Sequence, residues 1–206
     1  MNEQAVRVLG IVLCGGRSSR MGRDKAEIEI GGRTLLEHAT QTLLAVTDDV
    51  RIACGAEARY AQAGFELVLD RERDLGPLGG LEAALATASA DWVLAVATDM
   101  PRLEARALSR IVDTAQSQAL DVCVLRSARG VEPLCGVWRH SMLGAVRRTL
   151  ARGERRVVRA FDEQLDDGTL PKVGYVDVDD AGCVANVNTP ADLARERQDR
   201  GGGDEA

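Results

Sequence analysis

The segment Leu13–Lys25 combines residue types that bind phosphate. It reads L-C-G-G-R-S-S-R-M-G-R-D-K and holds three glycines, two serines and four basic side chains against one acid. Glycine lets a backbone approach a phosphate closely, and arginine and lysine supply the charge that a nucleoside triphosphate needs. The segment lacks the G-x-x-x-x-G-K-[ST] spacing of a P-loop and the G-x-G-x-x-G spacing of a dinucleotide-binding turn. We therefore predict an anion site of another type; the alternative is a solvated surface turn.

Two aspartates, Asp70 and Asp99, follow apolar runs of the sequence. Each run is typical of a buried parallel strand, and open α/β sheets bind ligands at the carboxyl ends of such strands. Both carboxylates are therefore expected at the crevice bordered by the glycine-rich segment. A carboxylate there can hold Mg²⁺, which binds few protein oxygens and completes its shell with water and phosphate. We choose Asp99 as the metal ligand; the alternatives are that Asp99 caps the turn before Pro101 and that Asp70 only forms a turn.

Three further groups have both a chemical and a structural interpretation. Gly79 and Gly80 begin a predicted helix, whose N-terminus would suit an anion beside the crevice. Asn186 and Asn188 can each donate and accept hydrogen bonds, but asparagine before a helix is also a common cap. A basic cluster usually forms a solvated helix face in an acidic protein; here its members are Arg152, Arg155, Arg156 and Arg159.

These candidate residues need a framework that brings distant segments together. Short apolar runs alternate with longer segments of helical periodicity, which predicts an α/β fold with a mostly parallel, covered sheet. The predicted strands are Val6–Leu13, Asp49–Cys54, Phe65–Asp70, Trp92–Ala97, Asp121–Leu125, Pro133–Val137 and Val173–Val178. The predicted helices are Thr34–Val46, Gly79–Ala88, Glu104–Ser117, Ser141–Ala151, Arg155–Glu163 and Pro190–Gln198, the last capped by Thr189.

The composition indicates one globular domain. The chain has 206 residues, of which 45% are hydrophobic and 28% charged, so we expect a single domain over residues 1–200 and a disordered tail over Gly201–Ala206. A net charge of −6 and an aromatic content of 3% argue against nucleic-acid binding. The two histidines, without H-E-x-x-H or G-x-S-x-G, exclude metalloprotease and serine-hydrolase sites.

The cysteines and the apolar runs bear on where the protein acts. Five cysteines are scattered and form no C-x-x-C pair, which indicates neither a disulfide framework nor a zinc site and favours a reducing, cytoplasmic location. The apolar stretch Val8–Cys14 is too short to span a membrane and is interpreted as a buried strand.

The string L-x-G-G-x-S-x-R-M-G-x-D-K resembles the signature loop of the molybdenum cofactor guanylyltransferases. The resemblance extends from about residue 9 to residue 193, because further family-like motifs follow in the expected order. These are Asp70, Gly76-Pro77-Leu78-Gly79-Gly80, Thr98-Asp99-Met100-Pro101, Gly153-Glu154-Arg155-Arg156-Val157 and Asn186-Val187-Asn188-Thr189-Pro190. The glycine-rich loop and the Asn-Val-Asn-Thr-Pro segment are the most specific of these motifs.

The resemblance implies a Rossmann-like three-layer nucleotidyltransferase fold and a reaction. GMP would pass from GTP to the terminal phosphate of molybdopterin with release of pyrophosphate, and Mg²⁺ would be the cofactor. Lys25 and Asp99 would be catalytic, Asp99 would bind the metal, and Arg17, Arg20 or Arg23 would assist Lys25 at the phosphates. Residues implied to bind the nucleotide are Leu13, Cys14, Gly15, Gly16, Arg17, Arg20, Lys25, Asp70 and Asp99, and those implied to bind the second substrate are Gly79, Arg156, Asn186 and Asn188. Transient contact with molybdopterin-loading proteins or apo-molybdoenzymes is a further implication.

Three alternatives stay open. Related cytidylyltransferases act on the same acceptor, but their loop reads Leu-Ala-Ala-Gly, whereas Gly15 stands at the third position here. The second alternative is another small-molecule nucleotidyltransferase, such as a sugar-nucleotide synthase, and the third is a non-catalytic carrier of nucleotide or pterin.

The sequence departs from the family pattern at two places. Cys14 replaces the alanine common in the family and is expected to be a small buried thiol rather than a nucleophile. The segment Ala53–Gly55 lacks an asparagine that some guanylyltransferases carry.

Overall fold

Strands and helices alternate along most of the chain. The computed structural model describes residues 6–14, 24–180 and 182–201. The strands are β1 (Val8–Leu13), β2 (Glu29–Ile30), β3 (Arg33–Thr34), β4 (Asp49–Ala53), β5 (Glu66–Val68), β6 (Trp92–Ala97), β7 (Val122–Ser127), β8 (Gly130–Arg139) and β9 (Val173–Asp177). The α-helices are α1 (Leu35–Leu44), α2 (Pro77–Thr87), α3 (Ala105–Ser117), α4 (Leu143–Ala151) and α5 (Pro190–Gly201), and 3₁₀ helices cover Lys25–Glu27, Ala61–Ala63, His140–Met142 and Val157–Asp162.

The central sheet has seven strands in the order β5-β4-β1-β6-β8-β7-β9. β1 pairs in parallel with β4 and β6, and β5 and β9 also pair in parallel with their neighbours. β8 alone among the sheet's pairings runs antiparallel, to both β6 and β7. The predicted mostly parallel sheet is confirmed, and each of the seven predicted strands overlaps one of its strands.

Helices cover both faces of the sheet, which makes three layers. α1 and α3 pack on one face around the buried side chains of Leu43, Ile52 and Leu108. α2 and α4 pack on the other face around Leu81 and Val146. Strands β1 and β6 are buried almost throughout because they lie between these two layers. The predicted three-layer α/β architecture is therefore what the structure shows.

Two differences from the predicted elements have local causes. The predicted helix Arg155–Glu163 is a 3₁₀ helix over Val157–Asp162, where the adjacent β-branched residues Val157 and Val158 disfavour an α-helix. The predicted strand Pro133–Val137 extends over the whole of β8, because Pro133 lies in an irregular part of the strand rather than at its start.

The C-terminal residues differ in part from the predicted tail. Gly201, predicted as part of the tail, is the last residue of α5, and residues 202–206 lie outside the described residues. Within the described part of the chain, no helix is long and apolar enough to cross a membrane. The single-domain boundary at residue 200 stays a prediction.

Candidate active site

Strands β1, β4, β5 and β6 point their carboxyl ends to the same edge of the sheet. Asp99 lies two residues beyond β6, and Asp70 lies two residues beyond β5, where its N–H donates to the carbonyl of Gly55 (2.9 Å). The N–H of Cys14, directly after β1, donates to the carbonyl of Ala53 (2.8 Å). The sheet thus brings both predicted aspartates to the edge from which the glycine-rich segment departs.

Lys25, Asp99 and Asn188 form a polar cluster at this edge, although they are far apart in sequence. The Lys25 Nζ lies 3.2 Å from Asp99 Oδ2 and also donates a short hydrogen bond to Asn188 Oδ1. The side chains of Lys25 and Asp99 are 22% and 20% exposed, so both are partly buried at this edge. The backbone also joins two of these segments, because the N–H of Val187 donates to the carbonyl of Asp99 (2.8 Å). We call these three residues the Lys25 cluster.

The segment before α5 explains why Asn188 faces the cluster. Thr189 and Asp192 form a reciprocal cap: the Asp192 N–H donates to Thr189 Oγ1 (3.2 Å), and the Thr189 N–H donates to Asp192 Oδ2 (2.9 Å). Thr189 is therefore the helix cap, as predicted. The Asn188 side chain is left to bind Lys25, which rules against the interpretation of Asn188 as the cap.

Arg59 and Tyr60 hold the start of the 3₁₀ helix Lys25–Glu27, which we call the Lys25 helix. Sequence analysis missed both residues. The Asp24 carboxylate caps the 3₁₀ helix by accepting from the Ala26 N–H (3.1 Å), and it also accepts from Arg59 Nη1 (2.9 Å) and from the Tyr60 hydroxyl (2.7 Å). The other guanidinium nitrogen of Arg59 donates to the carbonyl of Cys14 (3.3 Å) and to that of Cys54 (3.2 Å). Arg59 thus ties together the ends of β1 and β4 and the residue before Lys25. No local motif marks it, because its partners come from distant segments.

Asp70 lies against the first turn of α2. A methyl group at Gly79 would come within 2.9 Å of Asp70 Oδ2 and 2.5 Å of Leu75 Cβ, so this position requires glycine. Asp70 Oδ1 is buried and has no hydrogen-bond partner within the described residues. Burial, and secondarily the Glu82 carboxylate, raise the pKa of Asp70 to about 6. Asp70 and Gly79 are therefore in contact, as two residues of one site would be.

Glu132, at the start of β8, is a second carboxylate near Asp99 that sequence analysis missed. Burial and the charge of Asp99 raise its pKa, whereas Arg129 and the Asn186 side chain lower it. Of the two predicted asparagines, Asn188 is the one that binds within the Lys25 cluster. The only sequence signal that could have indicated Glu132 is its position directly before Pro133, within an interrupted apolar run.

Three of the four arginines in the basic cluster form ion pairs with nearby glutamates. The guanidinium of Arg156 pairs with Glu154 (2.9 Å), which Arg159 also approaches (3.5 Å), and Arg152 pairs with Glu163 (2.6 Å). This arrangement is that of a solvated, charge-paired surface. A role for Arg156 in substrate binding stays a prediction.

The remaining predicted residues divide between the sheet and the glycine-rich loop. Leu13 ends β1 and is buried against α2, where a methyl group at Gly80 would lie 3.2 Å from Leu13 Cδ2. Cys14 is buried too, and burial raises the pKa of its thiol far above the ordinary value, which fits the expected inert thiol. Gly15, Gly16, Arg17, Arg20 and Arg23 lie outside the described residues.

Comparison with known proteins was made by sequence and by structure. The family model described as MobA-like NTP transferase domain matches residues 10–167. A protein of Opitutus terrae named "Probable molybdenum cofactor guanylyltransferase" is 36% identical over 202 residues, covering 96% of this chain and 98% of that protein. The molybdenum cofactor guanylyltransferase of Vibrio cholerae is 30% identical over 188 residues, covering 90% of this chain and 89% of its own.

Solved structures agree in fold. The molybdopterin-guanine dinucleotide biosynthesis protein A of Archaeoglobus fulgidus superposes with a TM-score of 0.78 at 21% identity, covering 94% of this chain and 98% of that one. A CMP-2-keto-3-deoxy-manno-octonic acid synthetase superposes with a TM-score of 0.76 at 16% identity. The match of the family model and the sequence identity along nearly the whole length show that the chain belongs to the MobA-like NTP transferase domain family.

Proposed function

We propose that this protein transfers GMP from GTP to the terminal phosphate of molybdopterin. An oxygen of that phosphate attacks the α-phosphorus of GTP, a new P–O bond forms, the bond to the β-phosphate oxygen breaks, and pyrophosphate leaves. The observation that carries the proposal is the Lys25 cluster, in which a lysine, a carboxylate and an amide meet at the carboxyl edge of the sheet. The names of the relatives from Opitutus terrae and Vibrio cholerae support guanylyl transfer as the reaction.

The reaction requires no protein nucleophile, because the acceptor phosphate is already ionised near neutral pH. The work of the protein is to position the reactants and to neutralise charge. Lys25 would bind the β- and γ-phosphates, and its Nζ is held in place by Asp99 and Asn188. The residues of the glycine-rich loop, Gly15, Gly16, Arg17 and Arg20, would bind the same phosphates. Asp70 and Gly79, at the start of α2, would contact the nucleotide and the acceptor, respectively.

Mg²⁺ is part of the proposal, and the oxygen donors at this edge fit it. Asp99 supplies a partly exposed carboxylate, and Mg²⁺ commonly binds one or two protein carboxylates together with substrate phosphates. No group of three or more acidic, histidine or cysteine side chains within the described residues forms a complete metal cage, which accords with an ion that arrives with the nucleotide. When bound, the ion would offset the charge that develops on the phosphate oxygens.

The proposal extends to where the protein works and what it meets. Its five cysteines are free, four of them buried, which supports a reducing compartment such as the cytoplasm. Delivery of the product would require transient contact with apo-molybdoenzymes, and supply of the acceptor would require contact with molybdopterin-loading proteins.

Release of pyrophosphate from GTP, CTP, ATP and UTP tests the function. Each nucleotide is supplied with Mg²⁺ and molybdenum-loaded molybdopterin, and a control omits the pterin. We expect release that depends on the pterin and is selective for GTP. A preference for CTP would move the protein to cytidylyl transfer, and GTP binding without release from any nucleotide, with an acceptor shown to be active, would favour the carrier.

A further inference from the structure

The last helix, α5, and the residues just before it contact both of the segments that carry the Lys25 cluster. On one side lies the loop after β6, where the Val187 N–H donates to the carbonyl of Asp99 (2.8 Å). On the other side lies the segment that follows Lys25, where the Arg197 guanidinium donates to the carbonyl of Glu29 (3.0 Å). An apolar cluster of buried residues completes this second contact: Ile28, Ile30, Leu35, Val187 and Leu193. Movement of α5 would therefore disturb both segments together.

Arg102 fixes α5 to the loop that contains Asp99. Its Nε donates to Glu196 Oε2 (2.7 Å), and its Nη2 donates a short hydrogen bond to Asp199. Arg102 lies three residues after Asp99, whereas Glu196 and Asp199 lie three residues apart on one face of α5. The planar guanidinium can bind two such acceptors at once in a fixed fork. Arg102 thus joins the loop to two successive turns of the helix.

The contact between Arg102 and Glu196 is buried on the side of the carboxylate. The Glu196 side chain is 7% exposed, and that of Arg102 is 34% exposed. A charged carboxylate is unfavourable in a buried position unless a cation compensates it. Removal of the guanidinium therefore favours displacement of this part of α5 toward water, an effect that loss of an exposed ion pair would not have.

The attachment of α5 reaches Lys25 through Asn188. Thr189 caps α5, so the position of the helix also sets the position of Asn188, the residue before the cap. Asn188 Oδ1 accepts from Lys25 Nζ. A lysine that is already held in one place loses less side-chain freedom when it binds a phosphate. A shift of α5 would withdraw Asn188 and lower the affinity of Lys25 for a triphosphate.

We infer that Arg102 is a positioning residue for the nucleotide: by holding α5 against the loop after β6, it holds Asn188 against Lys25. This inference rests on the proposed function, in which Lys25 binds the phosphates of GTP. It assigns Arg102 no contact with either substrate and no part in the chemical step. Its effect therefore belongs in the binding of GTP.

The equilibrium Kd for GTP with Mg²⁺, measured by calorimetry without the pterin, tests the inference. The variants are Arg102→Ala, Arg102→Lys, Asn188→Ala and the double variant Arg102→Ala/Asn188→Ala. We expect Arg102→Ala to raise the Kd about 10-fold, the effect of losing one hydrogen bond to a charged group. Arg102→Lys should raise it less, because lysine keeps the charge beside Glu196 but lacks the fork. Arg102→Ala should add nothing in the Asn188→Ala background, since Arg102 acts through Asn188.

Arg126→Ala is the matched control, because the Arg126 guanidinium also binds a carboxylate through two nitrogens. Its partner is Asp177 (2.6 and 2.9 Å) on β9, at the edge of the sheet. The control should leave the Kd for GTP unchanged. Hydrogen exchange of the Val187 amide reports on α5 without any ligand: it should be faster in Arg102→Ala than in the wild type and unaltered in Arg126→Ala.

Thermal unfolding reports whether each variant folds. Should Arg102→Ala fail to fold, Arg102→Lys replaces it, alone and in the Asn188→Ala background, and it should still raise the Kd for GTP. A merely structural role of Arg102 predicts a lower Tm with an unchanged Kd for GTP in the folded variant.

Three results would overturn the role of Arg102 while leaving the proposed function intact: an unchanged Kd for GTP in the folded Arg102 variant, an equal rise in Arg126→Ala, or additive rises in the double variant. A wild-type protein that binds GTP but releases no pyrophosphate would overturn the proposed function alone. A wild-type protein that does not bind GTP would overturn both.

Discussion

At the scale of single residues, Asp99 is required to do two things in the proposed reaction. One carboxylate oxygen lies 3.2 Å from Lys25 Nζ, and in the proposed reaction the carboxylate would also hold a divalent cation that arrives with GTP. Both depend on negative charge rather than on the shape of the side chain. A neutral residue of the same size at this position should therefore lower the rate of turnover and leave the affinity for the nucleotide nearly unchanged.

Asp99→Asn should lower kcat for pyrophosphate release by about 100-fold or more, the usual scale for losing one preorganised electrostatic contact. The Kd for GTP should change little, because the loop and Lys25 are retained. Asp113→Asn, on the exposed face of α3, is the control. Turnover by Asp99→Asn at the wild-type rate would exclude Asp99 from the chemistry.

Asp70 makes the stability of the protein depend on pH. Its pKa is raised from 3.8 to about 6, first by burial and then by Glu82, so the folded state binds its proton more tightly than the unfolded state. The contribution of Asp70 to the free energy of unfolding therefore falls as the pH rises from about 4 to about 6, and it stays low at higher pH. The carboxylate is destabilising at neutral pH in the absence of ligand.

Asp70→Asn should accordingly raise the Tm at pH 7.5 by about 2–4 °C, and the gain should shrink as the pH is lowered toward 4. Thermal unfolding of both proteins across this pH range is the measurement. A difference in Tm that does not vary with pH would show that Asp70 titrates at its ordinary pKa. We expect the same substitution to weaken GTP binding if Asp70 contacts the nucleotide.

At the scale of elements, Arg59 acts as a clamp between two strand ends and the Lys25 helix. One guanidinium binds Asp24 and the carbonyls of Cys14 and Cys54. A lysine at this position keeps the charge but cannot reach three acceptors in a fixed fork. The clamp therefore depends on the guanidinium itself.

Arg59→Lys should raise the KM for GTP about 10-fold, since the loss of about one charge-assisted hydrogen bond loosens the residue next to Lys25. The KM for the pterin should change less. Arg73→Lys is the matched control because Arg73 forms an exposed ion pair with Glu57 (2.9 Å, 74% exposed). Equal effects of the two substitutions would show that only surface charge was altered.

The elements were predictable where a pattern lies within one short segment. β6 has the predicted bounds, Trp92–Ala97, because an unbroken apolar run between polar residues has one interpretation. The amino-terminal part of β8 was missed because Glu132 and Pro133 interrupt its apolar run, and the direction of β8 leaves no trace in its sequence. The two-residue strands β2 and β3 were missed because they are too short for a period to show.

At the scale of the whole molecule, the fold shields most of its thiols. Four of the five cysteines are buried, and Cys183 is half-buried in the segment before α5. Burial raises the pKa of Cys123 to about 11 and also raises that of Cys183. The thiolate is the reactive form, so the folded protein should be nearly inert to thiol reagents.

A thiol-specific chromogenic reagent at pH 7.5 should modify at most one cysteine of the native protein, slowly, and all five in denaturant. Cys183→Ser should abolish the native reaction, whereas Cys123→Ser should leave it unchanged. Rapid modification of several thiols would contradict a closed three-layer core. GTP should not accelerate the reaction of Cys183.

The candidate site could be predicted from the sequence only in part. Asp70 and Asp99 follow from the rule that ligands bind at strand ends, but the contact between Lys25 and Asn188 joins residues that no periodicity relates. The resemblance to a family, rather than spacing, singled out both. Arg59 and Glu132 escaped notice because each owes its place to the packing of several segments, which a local pattern does not encode.

The distant origin of Asn188 also sets an order on how the protein matures. A chain growing on the ribosome has all seven strands of the sheet once Asp177 has emerged, and Lys25 and Asp99 are then both present. The Asn186–Asn188 segment and the helix that orients it are made after the last strand of the sheet. The nascent protein therefore acquires all the strands of its sheet before Asn188 is available to bind Lys25, so the site is completed later than the scaffold that positions it.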